Sequence, residues 1–142
     1  MEKDNKINDL IEEDIKNALL VIKNQKLNDA CYYSLFPGGK RIRPLIFNTF
    51  YRELGGTENK LSFGTALELL HTSSLIHDDI IDDDIERRGR AALHVEFGLE
   101  TAILAEDVLQ ALAFEWGDEQ KLLAASYRTI MEGQLSDTEK NL

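Results

Sequence analysis

The sequence predicts an all-α protein, a bundle of about six helices. Apolar residues recur at steps of three and four along almost the whole chain, a spacing typical of amphipathic helices. A sheet of several strands would require apolar and polar residues to alternate, and no segment shows that pattern. The length of 142 residues suits a single domain, so we expect residues 1–142 to form one domain.

The first three helices are separated by turn signals. The first is predicted over about residues 5–24, where isoleucine and leucine recur between charged and amide side chains. A second begins near Leu27 and ends before Pro-Gly-Gly at residues 37–39, a strong loop signal. Pro44 suits the first turn of a third helix, because a missing N–H costs nothing there, and Gly-Gly at residues 55–56 ends it.

The last three helices include the longest one. It is predicted over about residues 59–84, and its apolar residues cover more than one face around the segment LELLHTSSLI. Such a helix lies at the centre of the protein, against a partner subunit or along the wall of an apolar cavity. A fifth is predicted over residues 99–116. A sixth carries Leu123, Tyr127, Ile130 and Met131 before the polar tail SDTEKNL.

The composition excludes several classes of function. The chain carries 16 basic and 26 acidic side chains and a formal charge of −10, whereas a general nucleic-acid binder needs a basic face. No apolar run approaches the roughly 18 residues of a membrane span, and the N-terminus resembles neither a signal nor a transit peptide. Cys31 is the only cysteine, so no intrachain disulfide can form. We therefore expect a soluble, cytoplasmic protein that does not bind nucleic acid.

A run of carboxylates ends the fourth predicted helix, in the segment HDDIIDDDIERRGR. Asp82 lies one turn beyond Asp78, about 40° around the helix, and His71 lies within about 20° of Asp78. These side chains share one face, with Asp79 beside them. Like charges one turn apart destabilise a helix, and a negative cluster at its C-terminus opposes the helix dipole. Local stability alone therefore does not favour this arrangement.

A divalent cation would remove that objection. Carboxylate oxygens suit Mg²⁺, with Mn²⁺ as a substitute, and Mg²⁺ typically takes one or two carboxylates together with phosphate oxygens. Zinc does not fit, because one cysteine and no close histidine pair supply too few of its usual ligands. The alternative is a solvated acidic helix end. The apolar helix before the cluster and the Arg87-Arg88 pair after it favour the metal site.

A basic loop, GGKRIRP, precedes the third predicted helix. Its two glycines and three cations stand where unpaired backbone N–H groups and the helix dipole favour an anion. Lys40 supplies a point charge, and Arg43 can donate to two phosphate oxygens at once. The alternative is that these cations pair with the protein's own carboxylates. A diphosphate bridged to Mg²⁺ would satisfy the loop and the acidic cluster together.

In combination, these motifs resemble the trans-type isoprenyl diphosphate synthases, or polyprenyl synthetases. Successive N-terminal motifs of that family match, in order, GGKRIRP, ELLHTSSLIHDDIIDDDIERRGR, HVEFG and AILAEDVLQALAFE. The resemblance implies an all-α fold around a deep apolar cavity, usually dimeric. It also implies that the protein condenses an allylic diphosphate with isopentenyl diphosphate, using Mg²⁺.

The resemblance also implies roles for individual residues. The first aspartate-rich motif of the family, which holds Mg²⁺ on the allylic diphosphate, is matched by Asp78, Asp79 and Asp82, the implied catalytic residues. Arg87 matches an arginine that grips the allylic diphosphate. The positions that bind isopentenyl diphosphate are matched by Lys40, Arg43, His71 and Arg88. Gln134 lies in MEGQLSD, which resembles the GQxxD motif and ends at Asp137.

The chain departs from the family pattern in several places. Full family members are about twice as long, and their second half supplies another aspartate-rich cluster that is absent here. We therefore expect a half fold, completed by a second copy or by a separate synthase subunit. Glu106 stands where the family generally has glycine, and Ala91-Ala92 replace the usual Pro-Thr. These local changes bear on packing.

Two functional hypotheses from different classes remain. The first is a prenyltransferase that works as a homodimer or with a partner subunit. The second is a non-catalytic small or regulatory subunit, or a truncated product, that binds diphosphates or a full-length synthase. An unrelated helical metal-binding protein and a related cyclase are remoter alternatives. In the family a bulky aromatic residue about five positions before the first aspartate limits product length. Here that position holds Ser73, so an active enzyme is expected to make products beyond fifteen carbons.

Overall fold

The computed structural model describes residues 2–140, and these form seven α-helices and one small sheet, which confirms the predicted all-α class. The helices, in chain order, are α1 (Glu2–Leu19), α2 (Gln25–Leu35), α3 (Ile42–Glu53), α4 (Leu61–Ile81), α5 (Leu93–Phe97), α6 (Leu99–Trp116) and α7 (Gln120–Lys140). The sheet is an antiparallel pair of two-residue strands, β1 (Glu86–Arg87) and β2 (Arg90–Ala91).

Helix α4 lies at the centre of the protein, one of the positions its sequence predicted. It packs against α1, α2, α3, α5, α6 and α7, and most extensively against α6. Half of its residues are buried, on more than one face. Gly64 permits the close approach of α3, because a Cβ atom there would lie 3.1 Å from the Cβ of Pro44. The acidic C-terminus of α4 is therefore held on a rigid element.

Helix α1 ends at Leu19, five residues before the predicted end. Asn24 is the N-cap of α2, and its side chain accepts a hydrogen bond from the backbone N–H of Leu27 at 3.0 Å. The Asn28 side chain donates to the carbonyl of Leu19 at 2.8 Å. Asparagine thus caps both helix ends, and the polar residues between them form the connection.

Helix α4 ends at Ile81 rather than at residue 84. Asp83 has a left-handed backbone with φ +54°, and the N–H of Asp84 donates to the carbonyl of Asp79 at 2.9 Å. This pattern is a Schellman motif, which usually carries glycine at the left-handed position. Asp82 is therefore the C-cap residue of the helix.

The polar segment after Met131 continues α7 to Lys140, whereas a polar tail was predicted to follow that helix. Hydroxyl groups of Ser136 and Thr138 donate to carbonyls one turn earlier and so fit within the helix. The last two residues of the predicted tail, Asn141 and Leu142, lie outside the described residues. Only Leu123 and Tyr127 of α7 are buried.

The segment between α4 and α6 contains the two strands and α5, which were not predicted. Arg88 and Gly89 form the two-residue turn of the hairpin, with φ values of +54° and +79°. Positive φ at both positions is typical of a type I′ turn, which favours asparagine or aspartate before glycine. Arginine at the first position removes that sequence signal.

None of the helices within residues 2–140 combines the length and the apolar character that crossing a bilayer requires. A cytoplasmic location stays a prediction.

Candidate functional site

The end of α4 presents two carboxylates in different surroundings. Asp78 is partly buried, and Asp82 is exposed at the helix cap. Burial raises the pKa of the Asp78 carboxyl, and the negative charge of Asp82 raises it further. Two carboxylates that destabilise each other in this way would both gain from a bound cation.

Asp79 makes a two-pronged ion pair with Arg87. The Nε and Nη2 hydrogens of Arg87 are donated to the two carboxylate oxygens of Asp79, each at 2.8 Å. The Asp79 side chain is only 5% exposed. This pairing raises the pKa of the Arg87 guanidinium. Asp79, predicted to bind the metal, and Arg87, predicted to bind the diphosphate, are thus hydrogen-bonded to each other.

Among the side chains of residues 2–140, no three histidine, cysteine, aspartate or glutamate groups converge tightly enough to form a metal site by themselves. Asp78 and Asp82 are the members of the predicted set that are not held by Arg87. Two carboxylates fit the chemistry of Mg²⁺, which completes its shell with water and phosphate oxygens. Asp78 and Asp82 would therefore supply part of the ligands of such an ion, and phosphate oxygens of a substrate would supply others.

The β1–β2 hairpin brings Arg88 to the basic loop. A Cβ atom on Gly39 would lie 3.0 Å from Nη2 of Arg88, so the glycine leaves room for the guanidinium. The left-handed backbone of Arg88 is unusual for a residue other than glycine, asparagine or aspartate, and such strain clusters at functional sites. Two motifs about 50 positions apart in sequence therefore meet, as the diphosphate hypothesis requires.

His71 lies among arginines on the adjoining face of α4. Burial, and to a smaller extent nearby positive charges, lower the pKa of its imidazole to about 4. Those charges belong to Arg43, Arg88, Arg87 and Arg41. His71 is therefore neutral at pH 7 within a cationic environment suited to an anion.

The three cations of the basic loop fall into two classes. Lys40 and Arg43 are exposed, whereas Arg41 is buried and bonded to Glu12 and Glu68. The alternative for this loop, pairing with the protein's own carboxylates, thus holds for Arg41, whereas no ion pair among the described side chains involves Lys40 or Arg43. No sequence signal separates Arg41 from its neighbours, because the distinction depends on tertiary contacts.

Gln134 lies on α7, apart from the groups just described. It is half-buried, and its backbone carbonyl accepts a hydrogen bond from the Thr138 hydroxyl. Asp137 is exposed. The structure brings together Arg43, His71, Arg87 and Arg88, with Lys40 in the loop beside them, and leaves Gln134 as a predicted site residue on a separate element.

A buried polar network, not predicted from the sequence, joins α4, α6 and α7. The hydroxyl oxygens of Ser73 and Tyr127 lie 3.0 Å apart. Gln110 donates to Ser73 at 3.1 Å and to Glu106 at 2.8 Å. Glu106 also pairs with His77. Glu106, which stands where the family generally has glycine, is thus buried and paired with Gln110 and His77.

Several known proteins are similar to this chain in sequence. The sequence profile described as Polyprenyl synthetase matches residues 24–141. A short chain isoprenyl diphosphate synthase of Methanocaldococcus jannaschii is 41% identical over 140 residues, covering 91% of this chain and 42% of that protein. A farnesyl diphosphate synthase of Micrococcus luteus is 47% identical over 109 residues, covering 75% of this chain and 37% of that protein.

Solved structures resemble the fold over a similar extent. An isoprenoid synthase family member from Thermotoga neapolitana superposes with a TM-score of 0.84 at 35% identity, covering 93% of this chain and 55% of that one. A geranyltransferase from Legionella pneumophila superposes with a TM-score of 0.74 at 37% identity, covering 80% and 42%. The chain thus spans about two fifths of the length of the curated relatives that it matches.

Proposed function

Because the chain belongs to the polyprenyl synthetase family, we propose that it condenses an allylic diphosphate with isopentenyl diphosphate into a longer prenyl diphosphate. Its relatives are named as isoprenyl and farnesyl diphosphate synthases, which supports prenyl transfer as the reaction class. The observation that carries the proposal is the close approach of the Arg88 guanidinium to Gly39, next to a neutral His71 that has arginines around it. That cationic site lies next to carboxylates suited to Mg²⁺.

The allylic diphosphate is proposed to bind at the end of α4. Asp78 and Asp82 would hold Mg²⁺ against its oxygens, and Mn²⁺ is a chemically similar substitute. The metal, when bound, supplies positive charge that stabilises the leaving diphosphate. Arg87 is proposed to donate to the same diphosphate, since its bonds to Asp79 use Nε and Nη2 and leave the Nη1 hydrogens available. These bonds support a role for Asp79 in orienting Arg87.

The second diphosphate, that of isopentenyl diphosphate, is proposed to bind to Lys40, Arg43, His71 and Arg88. The arginine guanidinium groups can each donate to two phosphate oxygens, and Lys40 adds a mobile point charge. His71 can donate one N–H while neutral. Gln134 is proposed to contribute from α7.

The chemistry follows from holding the two substrates together. The C–O bond of the allylic diphosphate breaks, and both electrons leave with the diphosphate. The double bond of isopentenyl diphosphate then supplies the electrons of the new C–C bond, and a proton is lost. The protein's contribution is to hold both diphosphates, orient the two chains and exclude water.

We propose that the active form is an assembly, either a homodimer or a complex with a synthase subunit. The chain spans 42% of the length of its relative from Methanocaldococcus jannaschii. The hydrocarbon chain needs an apolar enclosure, and apolar side chains of α4 and α7 remain exposed. Among them are Ile81 at 47%, Ile130 at 50% and Leu135 at 60%. A second chain could cover them and supply further carboxylates.

The test is turnover of labelled isopentenyl diphosphate with allylic starters by the pure protein in Mg²⁺. We expect a longer prenyl diphosphate whose formation rises steeply with chain concentration, and no product from Asp78→Ala. Absence of product at every concentration would refute the homomeric enzyme. Calorimetry with inorganic diphosphate then separates the remaining cases. Binding without turnover would favour the non-catalytic subunit, and absence of binding would refute the proposed diphosphate site.

A further inference from the structure

We infer that Arg41 is a positioning residue of the anion site, holding the basic loop in the one conformation that presents Lys40 and Arg43 beside Arg88. This inference rests on the proposed function of that site. It assigns Arg41 no contact with substrate.

Each of the three nitrogens of the Arg41 guanidinium donates a hydrogen bond inside the protein. Its side chain is 2% exposed. Nε donates to Glu12 and Nη1 to Glu68, each at 3.0 Å, and Nη2 donates to the carbonyl of Leu35 at 2.6 Å. These partners belong to α1, α4 and the end of α2, respectively. One side chain therefore joins the loop to three helices. Loss of any of these bonds would leave an N–H of the buried guanidinium without a partner, which is costly.

The backbone at Arg41 is held in a strained conformation. Its φ and ψ angles are +50° and +42°, in the left-handed region, immediately before α3. Such a conformation is unfavourable for a residue other than glycine, asparagine or aspartate, so its surroundings must impose it. The three anchored hydrogen bonds are that constraint. Gly38 leaves room for them, because a Cβ atom there would lie 2.1 Å from Nη2 of Arg41.

The left-handed turn at Arg41 fixes the positions of the two exposed cations of the loop, Lys40 and Arg43. Lys40 precedes Arg41 directly, and Arg43 follows in the first turn of α3, so the turn at Arg41 fixes their relative direction. The Arg88 guanidinium lies close to Gly39, two residues earlier, in the space that a Cβ atom would restrict. A change at Arg41 therefore moves both sides of the anion site at once.

The charges of the cluster favour the same arrangement. Glu12 and Glu68 carry two negative charges against the single positive charge of Arg41. The negative charge of Glu68 acts on Arg88 and opposes the lowering of its pKa by burial and by neighbouring arginines. Oε1 of Glu68 is buried and has no hydrogen-bond partner among the described residues. Glu68 thus balances the repulsion that a group of arginines would otherwise suffer.

The experiment is titration of the purified chain with inorganic diphosphate by calorimetry. Arg41→Lys keeps the charge but loses the branched set of donors, and we expect diphosphate affinity to fall at least about tenfold, about 1.4 kcal/mol. The matched control is Arg52→Lys, the same change at an exposed position on α3, with unchanged affinity expected. A folded Arg41→Lys protein that binds as tightly as the unmodified chain would overturn the inference.

A purely structural role predicts a different coupling pattern. If Arg41 acts through the loop cations, Arg41→Lys should cost less than about threefold in a Lys40→Ala/Arg43→Ala background, because the groups that it positions are gone. An equal loss in both backgrounds would contradict positioning. Should Arg41→Lys fail to fold, Glu12→Gln decides, since this partner is 31% exposed and releases only the Nε anchor. Wild-type affinity in Glu12→Gln would then overturn the inference.

A ligand-independent measurement separates this inference from the proposed function. The pKa of His71, about 4 in the native arrangement, depends in part on Arg43 and Arg88. Because Arg41→Lys retains a positive charge, a rise of the His71 pKa toward 6.5 in NMR titration would report departure of those two arginines. Absence of diphosphate binding by the unmodified chain would refute the proposed function. An unchanged His71 pKa would refute the positioning role of Arg41, whatever the binding result.

Discussion

Arg87 and Asp79 share two parallel hydrogen bonds of 2.8 Å, which fix the β1–β2 hairpin to the last turn of α4. The hairpin carries Arg88, and α4 carries Asp78. The bond between Arg87 and Asp79 therefore sets the distance between the cationic and the acidic parts of the site, without using the carboxylates of Asp78 and Asp82.

Asp79→Asn is expected to cost stability. The change removes the negative charge from the nearly buried Asp79 position and leaves Arg87 without its charged partner. We expect the free energy of unfolding to fall by about 1–3 kcal/mol in urea titrations. The control is Asp84→Asn, an exposed neighbour whose change should stay within about 0.5 kcal/mol. Equal stability of the two variants would contradict a structural role for the ion pair.

Asp78→Asn and Asp82→Asn are expected to act on metal binding instead. Each removes one of the two carboxylates left free by Arg87, so Mg²⁺-dependent diphosphate binding should weaken at least about tenfold in calorimetry. Stability should stay the same or rise, because the variants relieve like-charge repulsion. Asp83→Asn is the matched control for charge. If Asp83→Asn weakens metal-dependent binding equally, the cluster acts as a diffuse negative surface and not as a site.

Helical periodicity was sufficient to predict the class and the bounds of α6, and it gave the central position of α4 as one of three alternatives. It could not place the end of α4, because the left-handed turn at Asp83 uses aspartate where glycine is the usual signal. Nor could it separate Arg41 from Arg43, since both precede or begin a helix and differ only in tertiary partners. The Ser73–Tyr127 contact joins positions 54 residues apart, a pairing that local pattern does not contain.

His71 is expected to respond to diphosphate through its protonation. The folded state holds the imidazole pKa at about 4, below the ordinary value of 6.5. The unfolded chain therefore takes up the proton first, and the stability due to neutral His71 is present above pH 6.5 and lost as the pH falls toward 4. A bound anion offsets the arginine charges, so inorganic diphosphate should raise the pKa.

Two measurements check this expectation. NMR titration of the imidazole, assigned with His71→Asn, should show an upward shift of the pKa in diphosphate. Urea unfolding between pH 7 and pH 4 should show a steeper loss of stability in the unmodified chain than in His71→Asn, where this proton is missing. A His71 that titrates near 6.5 without ligand would contradict the arginine-ringed arrangement.

The His77–Glu106 pair is expected to stabilise the packing of α4 on α6. Glu106 is 3% exposed, so His77→Ala would leave a buried carboxylate with Gln110 as its remaining partner. We expect unfolding to become easier by about 1–3 kcal/mol. In the double variant with Glu106→Gly, which restores the residue general in the family, most of that loss should be recovered. Additive losses in the urea-derived double-mutant cycle would show that the two residues act independently.

Ser73 is expected to govern both packing and product length. The side chain is fully buried against Tyr127, so Ser73→Phe inserts a ring into filled space, and overpacking of this kind costs about 1–3 kcal/mol. Ser73→Phe/Tyr127→Ala removes a ring of similar size and should regain most of the stability. In the catalytic assembly, mass spectrometry should show products beyond fifteen carbons from the unmodified protein and shorter ones from both variants. If the single and the double variant make products of the same shorter length, the shortening is due to the ring at position 73. Loss of stability would not explain it, because only the single variant is overpacked. Exclusive formation of ten- or fifteen-carbon products by the unmodified chain would contradict this assignment.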